Sequence, residues 1–339
     1  MTNPWKGKHG PLLIAEIGGN HEGDFEYAKK LTQLAIESDV DYIKFQIYTG
    51  DSLVNKIESP VRNKHFKKFQ LTNQQHIQLA QMCRAHGVGY MASVWDLSFI
   101  SWIDEYMDVY KIGSGDLTAY QVLKGICKTQ KPIILSTGLS TLEEVKASVA
   151  FIQSCDPIYF SPNKLSILQC TSMYPIPFEE ANLAVMNTLS KETLLPIGYS
   201  DHTEGCKALS YSVAMGAKIL EFHFTDAREG KKFRDHKVSL TKDETLNLIS
   251  EIKTIYTLQG NGNKEPTPSE LDNKHEQSFR RALFMKSNIK KNQIITEDDI
   301  ISLRPCHGIP ANFLNELIGK KANRNITKLE KLDWSFFTK

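Results

Sequence analysis

The chain has 339 residues, 41% of them hydrophobic, enough to bury one large core and a smaller second one. Its 41 Lys and Arg nearly balance 39 Asp and Glu, and a formal charge of +2 excludes the concentrated basic field that bulk nucleic-acid or membrane-surface binding needs. No apolar run approaches the ~18 residues of a membrane span, the opening MTNPWKGKHG lacks the apolar stretch of a secretory leader, and the six cysteines form no CxxC pair, so a cytoplasmic protein with reduced thiols is expected.

Short apolar runs alternate with helix-like segments as far as residue 259. In order they are LLIAEI (12–17), DYIKFQIY (41–48), VGYMASV (88–94), VYKIGSG (109–115), PIILSTG (132–138), LSILQC (165–170), LPIGYSD (195–201) and KILEFHF (218–224). Each is bounded by turn residues, as strands buried on both faces are. Capping boxes are expected to open several of the intervening helices, at Thr72 with Gln75, Ser140 with Glu143 and Thr241 with Glu244. Strand–helix repeated in this way predicts a closed (β/α)₈ TIM barrel over residues 1–260. A doubly wound open sheet is the alternative, but no GxGxxG follows the first strand. The basic stretch VNKIESPVRNKHFKKFQ (54–70) reads as a solvated surface loop, with a lid over an anionic substrate as the other reading. Residues 261–278 are polar and read as a linker. Residues 279–339 change character, with short strands and one short helix, and form a small α+β domain.

In such a barrel the active-site groups project from the carboxyl ends of the strands, and residues two apart share a face. By that rule strand one ends in Glu16, and strand two places Lys44 and Gln46 on one face. Strand four carries Lys111 and leads to Ser114, strand five ends in Ser136, strand seven offers Ser200 and His202, and strand eight offers Glu221 and His223. Charged groups inside buried strands are costly unless paired or used. A lone strand histidine is usually a core residue, but His202 and His223 end adjacent strands and could together hold a divalent metal. Lys44, Lys111, Ser114, Ser136 and Ser200 suit a phosphate group, through ammonium charge and short donors. Pairing of either lysine with a carboxylate such as Glu16 is the plainer alternative.

These residues sit in a series of motifs: AEIGGNHEGDFEYAKKL, DYIKFQ, KIGSGD, ILSTGLSTLEEV, QCTSMYPIP, IGYSDHTEG, ILEFHFT, RDHKVSL and RPCHGIP…LIGK. In this order, and over nearly the whole chain, they resemble the sialic acid synthase family, which includes N-acetylneuraminate, legionaminate and pseudaminate synthases and ends in an antifreeze-like (SAF) domain. The resemblance implies metal-dependent condensation of phosphoenolpyruvate with an N-acetylmannosamine-type amino sugar, giving a nine-carbon nonulosonate and phosphate by C–O cleavage. It implies Mn²⁺, with Mg²⁺ or Co²⁺ as substitutes, held by His202 and His223. Glu16 would be the catalytic carboxylate. Lys44, Lys111, Ser114, Ser136 and Ser200 would hold phosphoenolpyruvate, with Ser172 also in the substrate site, and Tyr174, Asp116 and Asp235 would face the sugar. Arg304 would reach a partner's site in a domain-swapped homodimer. Four positions depart from the family pattern. Ser172 stands where many relatives have Asn, Phe222 where they have Arg, KKFRDH where they have Pro-Gly-Pro-Asp-His, and Cys306 where they have Gly. Two other functions fit the residues: a Schiff-base aldolase using Lys44 or Lys111, and a non-catalytic sugar-binding protein on the same fold.

Overall fold

A computed structural model describes residues 3–338. It divides into two units, one ending at Gly260 and the other starting at Asn261.

In the first unit the strands are β1 (Gly10–Glu16), β2 (Tyr42–Ile47), β3 (Gly89–Val94), β4 (Tyr110–Ile112), β5 (Ile133–Ser136), β6 (Leu165–Cys170), β7 (Ile197–Asp201) and β8 (Ile219–His223). Each pairs in parallel with the next, and β1 pairs in parallel with β8, which closes the barrel. The strands are apolar on both faces because both are covered. Outward residues such as Leu13, Ala15, Ile43 and Phe45 pack under the helices. Inward residues Leu12, Ile14, Met91, Val109, Ile134, Leu168 and Ile219 pack against one another, with Trp5 and part of Tyr42. Fully burying each Leu or Ile contributes about 1.5–3 kcal/mol. Trp5 precedes a two-residue strand, Lys6–Gly7, that folds back on β1, and its indole donates to the Pro162 carbonyl at 2.6 Å. Gly198 in β7 is fixed by crowding, since a Cβ there would stand 2.4 Å from the Ile219 carbonyl oxygen.

The helix starts follow local chemistry. Thr72 with Gln75 and Thr241 with Glu244 form the expected capping boxes. The third lies one residue later than expected: Thr141 caps with Glu144, while the Ser140 hydroxyl bonds the Gly138 carbonyl at 3.3 Å. Thr141 has the extended backbone that an N-cap requires. Residues 54–70 also differ from expectation. A helix spans Pro60–Phe69, opened by Pro60 in its first turn. It is tied down by the buried Asn63, whose amide donates to the Gly50 and Val54 carbonyls at 2.7 and 2.9 Å.

The segment 261–278 is exposed but carries two short helices, Pro268–Asp272 and His275–Ser278, the first opened by a Thr267–Glu270 capping box. In the rest of the second unit, β9 (Ala282–Met285) pairs antiparallel with β10 (Ile300–Leu303), and β11 (Lys321–Ala322) with β12 (Phe337–Thr338). A separate core of Leu283, Met285, Ile289, Ile295, Leu317 and Phe337 holds it. ANFLNEL is helical as a 3₁₀ turn followed by Leu314–Leu317. No helix among the described residues is long and apolar enough to cross a membrane.

Candidate active site

Strand register assembles the site. Glu16 on β1 is the direct neighbour of Lys44 on β2 and of His223 on β8. Ser200 on β7 is opposite Glu221. Two residues beyond the apolar interior, the same faces therefore carry Glu16, Lys44, Lys111, Ser136, Ser200 and Glu221, all buried.

The buried charges form one network. Lys44 Nζ lies 2.6 Å from Glu16 Oε2 and 3.9 Å from Glu221 Oε2. Lys111 Nζ lies 3.5 Å from Glu221 Oε1 and donates to Ser136 Oγ at 2.7 Å and to the Ile112 carbonyl at 3.2 Å. Ser200 Oγ donates to Glu221 Oε1 at 3.1 Å, and Gln46 Nε2 to Glu16 Oε1 at 2.9 Å. Among the described residues Glu16 Oε2 and Glu221 Oε2 have no aligned hydrogen-bond donor, so their lysine contacts are ion pairs without directional bonds.

The two carboxyls titrate apart. Burial lifts Glu16 above the ordinary carboxylate range; Lys44 opposes this and Glu221 adds to it. Burial also opposes the charge on Glu221, but Lys111, Lys44 and the Ser200 bond outweigh it and hold Glu221 low. The lysines divide as well. Burial lowers Lys111 despite Glu221, whereas Glu16 and Glu221 overcome burial and raise Lys44. Divergent protonation of neighbouring groups is how a site obtains both an acid and a fixed charge.

His202 and His223 sit side by side, ring centroids 5.3 Å apart. His202 Nδ1 lies 2.6 Å from the Thr171 carbonyl, which can only accept, so Nδ1 carries a proton and Nε2 is the nitrogen left to bind a metal. Asp201 braces this loop by accepting from the Thr203 amide and hydroxyl and from the Tyr199 hydroxyl. Among the described residues His223 Nδ1 is buried without a hydrogen-bond partner, 3.9 Å from Asp235 Oδ2. Burial, with His202 and Lys44, holds its pKa well below the usual histidine value. Burial opposes charge on His202, but Cys170, the Thr171 carbonyl and Asp201 outweigh it and raise its pKa. A divalent ion held there would displace the Nε2 proton of His202 and share the pair with neutral His223. No group of three or more His, Cys, Asp or Glu forms a cage among the described residues.

The remaining expected residues fall into three places. Ser114, Ser172 and Gly138 converge: Ser114 Oγ accepts from the Gly138 amide at 3.0 Å, and a Cβ on Gly138 would stand 2.3 Å from Ser172 Oγ and 2.9 Å from Ser114 Oγ. Asp116 ends the turn that begins at Ser114, and burial raises its carboxyl despite Trp95 and Lys111. Tyr174 packs on both histidines, with centroids 4.0 and 5.5 Å away. Asp235 lies beside His223. Arg304 lies in the second unit, exposed, its Nε donating to the Phe279 carbonyl at 2.6 Å. Sequence reasoning gave no role to Glu221, which contacts both lysines, although its place two residues before His223 marked its face. It also missed Thr171 and Gly138, and it marked Arg234 only as a departure from the family pattern; the Arg234 guanidinium lies 4.7 Å over the Tyr174 ring.

A closed barrel with buried carboxylates, ammoniums and imidazoles at the carboxyl ends of its strands has the layout of a (β/α)₈-barrel enzyme. The NeuB family model matches residues 31–264 and the SAF domain model residues 280–338; the chain belongs to the NeuB family. It is 32% identical over 338 residues to the N,N'-diacetyllegionaminic acid synthase of Legionella pneumophila, covering 95% of this chain and 93% of the relative. It is 28% identical over 329 residues to the human N-acetylneuraminate-9-phosphate synthase, covering 93% of this chain and 89% of that one. The crystal structure of N-acetylneuraminic acid (sialic acid) synthetase from Leptospira borgpetersenii, 27% identical, aligns with a TM-score of 0.70 over 78% of this chain and 90% of its own. The protein is thus an enzyme of the transferase type, of the synthase class that these relatives represent.

Proposed function

We propose that the enzyme condenses phosphoenolpyruvate with an N-acetylmannosamine-type amino sugar, giving a nine-carbon sialic-acid-like acid and phosphate by C–O cleavage. The supporting observation is that the Lys44–Glu16–Glu221–Lys111 network, Ser136 and Ser200 share one barrel end with paired histidines.

Lys111, Lys44, Ser136, Ser200 and the Ser114–Gly138–Ser172 cradle bind the phosphate and carboxylate of phosphoenolpyruvate. Tyr174, Asp116 and Asp235 orient the sugar. His202 Nε2 and His223 Nδ1 would hold a divalent ion, Mn²⁺ first, whose chemistry when bound is to polarise the sugar aldehyde. The enol carbon attacks that aldehyde, and positive charge develops at the phosphate-bearing carbon. Glu16, held by Gln46 and Lys44, stabilises that charge and manages the proton of the water that adds there. Phosphate then departs with its bridging oxygen. Arg304 would complete the site of a second copy in a domain-swapped dimer.

The test is phosphoenolpyruvate labelled with ¹⁸O at the bridging position. Label is expected in the released phosphate; label retained in the sugar acid overturns the scheme. One observation favours a second reading: the lowered pKa of Lys111 suits a Schiff-base aldolase. Borohydride trapping of a keto acid on Lys111, insensitive to chelators, would establish that reading instead.

A further inference from the structure

The mouth of the site carries positive charge that the chemistry above does not use. Arg234 lies in the loop after β8, where the family resemblance implies proline. Its guanidinium lies over Tyr174, which in turn packs on His202 and His223. Its only hydrogen-bond or ion-pair partner among the described residues is Asp235, 3.3 Å from Nε, and the side chain is 65% exposed. The two terminal nitrogens of the fork are therefore unclaimed.

The preceding residue, Phe233, packs 5.0 Å from Phe69 and 6.1 Å from His65, which brings the Pro60–Phe69 helix beside Arg234. That helix contains Arg62, Lys64, Lys67 and Lys68 and no acid. Lys67 is paired with Asp51, and in the neighbouring loop Lys231 is paired with Asp226. Arg62 and Lys68 make no ion pair among the described residues, and rest near the Phe66 and Phe69 rings. Burial lowers the His65 pKa, and Lys68, Arg234 and Arg62 lower it further, which fits three cations around one ring.

We propose that Arg234, backed by Lys68 and Arg62, selects an acceptor sugar that carries a phosphate monoester at the end remote from its aldehyde. The proposal rests on the synthase reading, which puts the aldehyde at the histidines; the order histidines, Tyr174, Arg234 then runs outward along the acceptor. A free guanidinium fork matches a phosphate in two-point geometry, and unpaired cations behind it favour a dianion over a neutral hydroxyl.

The experiment uses the full chain with two probes, N-acetylmannosamine and its 6-phosphate, and two readouts. Calorimetric titration is expected to show the phosphate ester binding at least tenfold more tightly than the free sugar. Arg234→Gln, with its fold checked by circular dichroism, is expected to erase that preference. Equal binding of the two sugars, or a preference that survives Arg234→Gln because the ester sits at Lys44 and Lys111, overturns the proposal. Phosphate release from phosphoenolpyruvate is then measured with each sugar. Turnover with the free sugar at an equal or greater kcat/KM overturns the proposal and leaves the synthase reading intact. An Arg234-dependent binding preference without turnover supports the anion site and counts against the synthase reading. If Arg234→Gln raises the KM for phosphoenolpyruvate equally with both sugars, the rim serves that substrate and the proposal fails.

Discussion

Along its lower levels the barrel interior is hydrocarbon, built from Leu12, Ile14, Met91, Val109, Ile134, Leu168 and Ile219 over Trp5. Two residues further along the same strands it holds two carboxylates, two ammoniums and their serines. The backbone is the same; only the side chains change. The lower level stabilises the fold by burial. The upper level opposes folding, since each buried ion loses several kcal/mol of hydration that its partner offsets only in part. Stability and chemistry are thus separated by a single pleat.

Substitutions on either side of that pleat should behave oppositely. At the upper level Glu16→Gln keeps the size of the side chain and removes a charge that burial already disfavours. Phosphate release is expected to fall by about a thousandfold, or about 4 kcal/mol of transition-state stabilisation, with the melting temperature moving by no more than a few degrees. Retention of most activity would break the contrast. At the lower level Leu168→Ala should cost about 2–5 kcal/mol in denaturant unfolding, while the folded fraction keeps its turnover; a selective loss of kcat without loss of stability would contradict this.

Acid should act through histidines outside the network. Burial holds His21 at about 4 and His76 at about 3. His21 Nδ1 accepts from the Gly23 amide, and His76 Nε2 has no partner among the described residues, so both fit only the neutral ring. The unfolded chain takes up these protons near pH 6.5 and the folded chain does not. Their contribution is therefore complete above about pH 6.5 and falls as pH drops toward 4, by at most about 2.7 kcal/mol per pH unit for the two together. Urea unfolding between pH 7 and 4.5 measures it, and a flat profile would remove these histidines from the account. The smallest effect concerns a surface cap. Thr141→Ala should cost about 1 kcal/mol and Ser140→Ala almost nothing, in thermal melts of the two variants; the reverse order would restore the capping register expected from the sequence.

The barrel was legible because strands covered on both faces leave short apolar runs, and the strand-end residues because β geometry repeats every two residues. Lys44, Lys111, Ser136, Ser200, His202 and His223 could therefore be placed from periodicity alone. Contacts between loops could not. Gly138 meets Ser172 across two turns, and Arg234 meets Tyr174 across sixty residues, with no periodic pattern to announce either. The Pro60–Phe69 helix was hidden for a related reason. Its sequence is mostly polar, and Asn63 and Phe69 anchor it through tertiary contacts. The proton on His202 Nδ1 is set by the Thr171 carbonyl, which sequence separation conceals.

The seam between β1 and β8 has a consequence for synthesis. Glu16 and His223 are adjacent in the finished barrel, yet about two hundred residues separate them along the chain. At the usual 5–20 residues per second, a ribosome makes His223 on the order of ten to forty seconds after Glu16. Until then the carboxylate has no seam to join and the nascent chain contains no complete centre. Premature termination anywhere before β8 therefore yields an inert fragment, never a weakened enzyme.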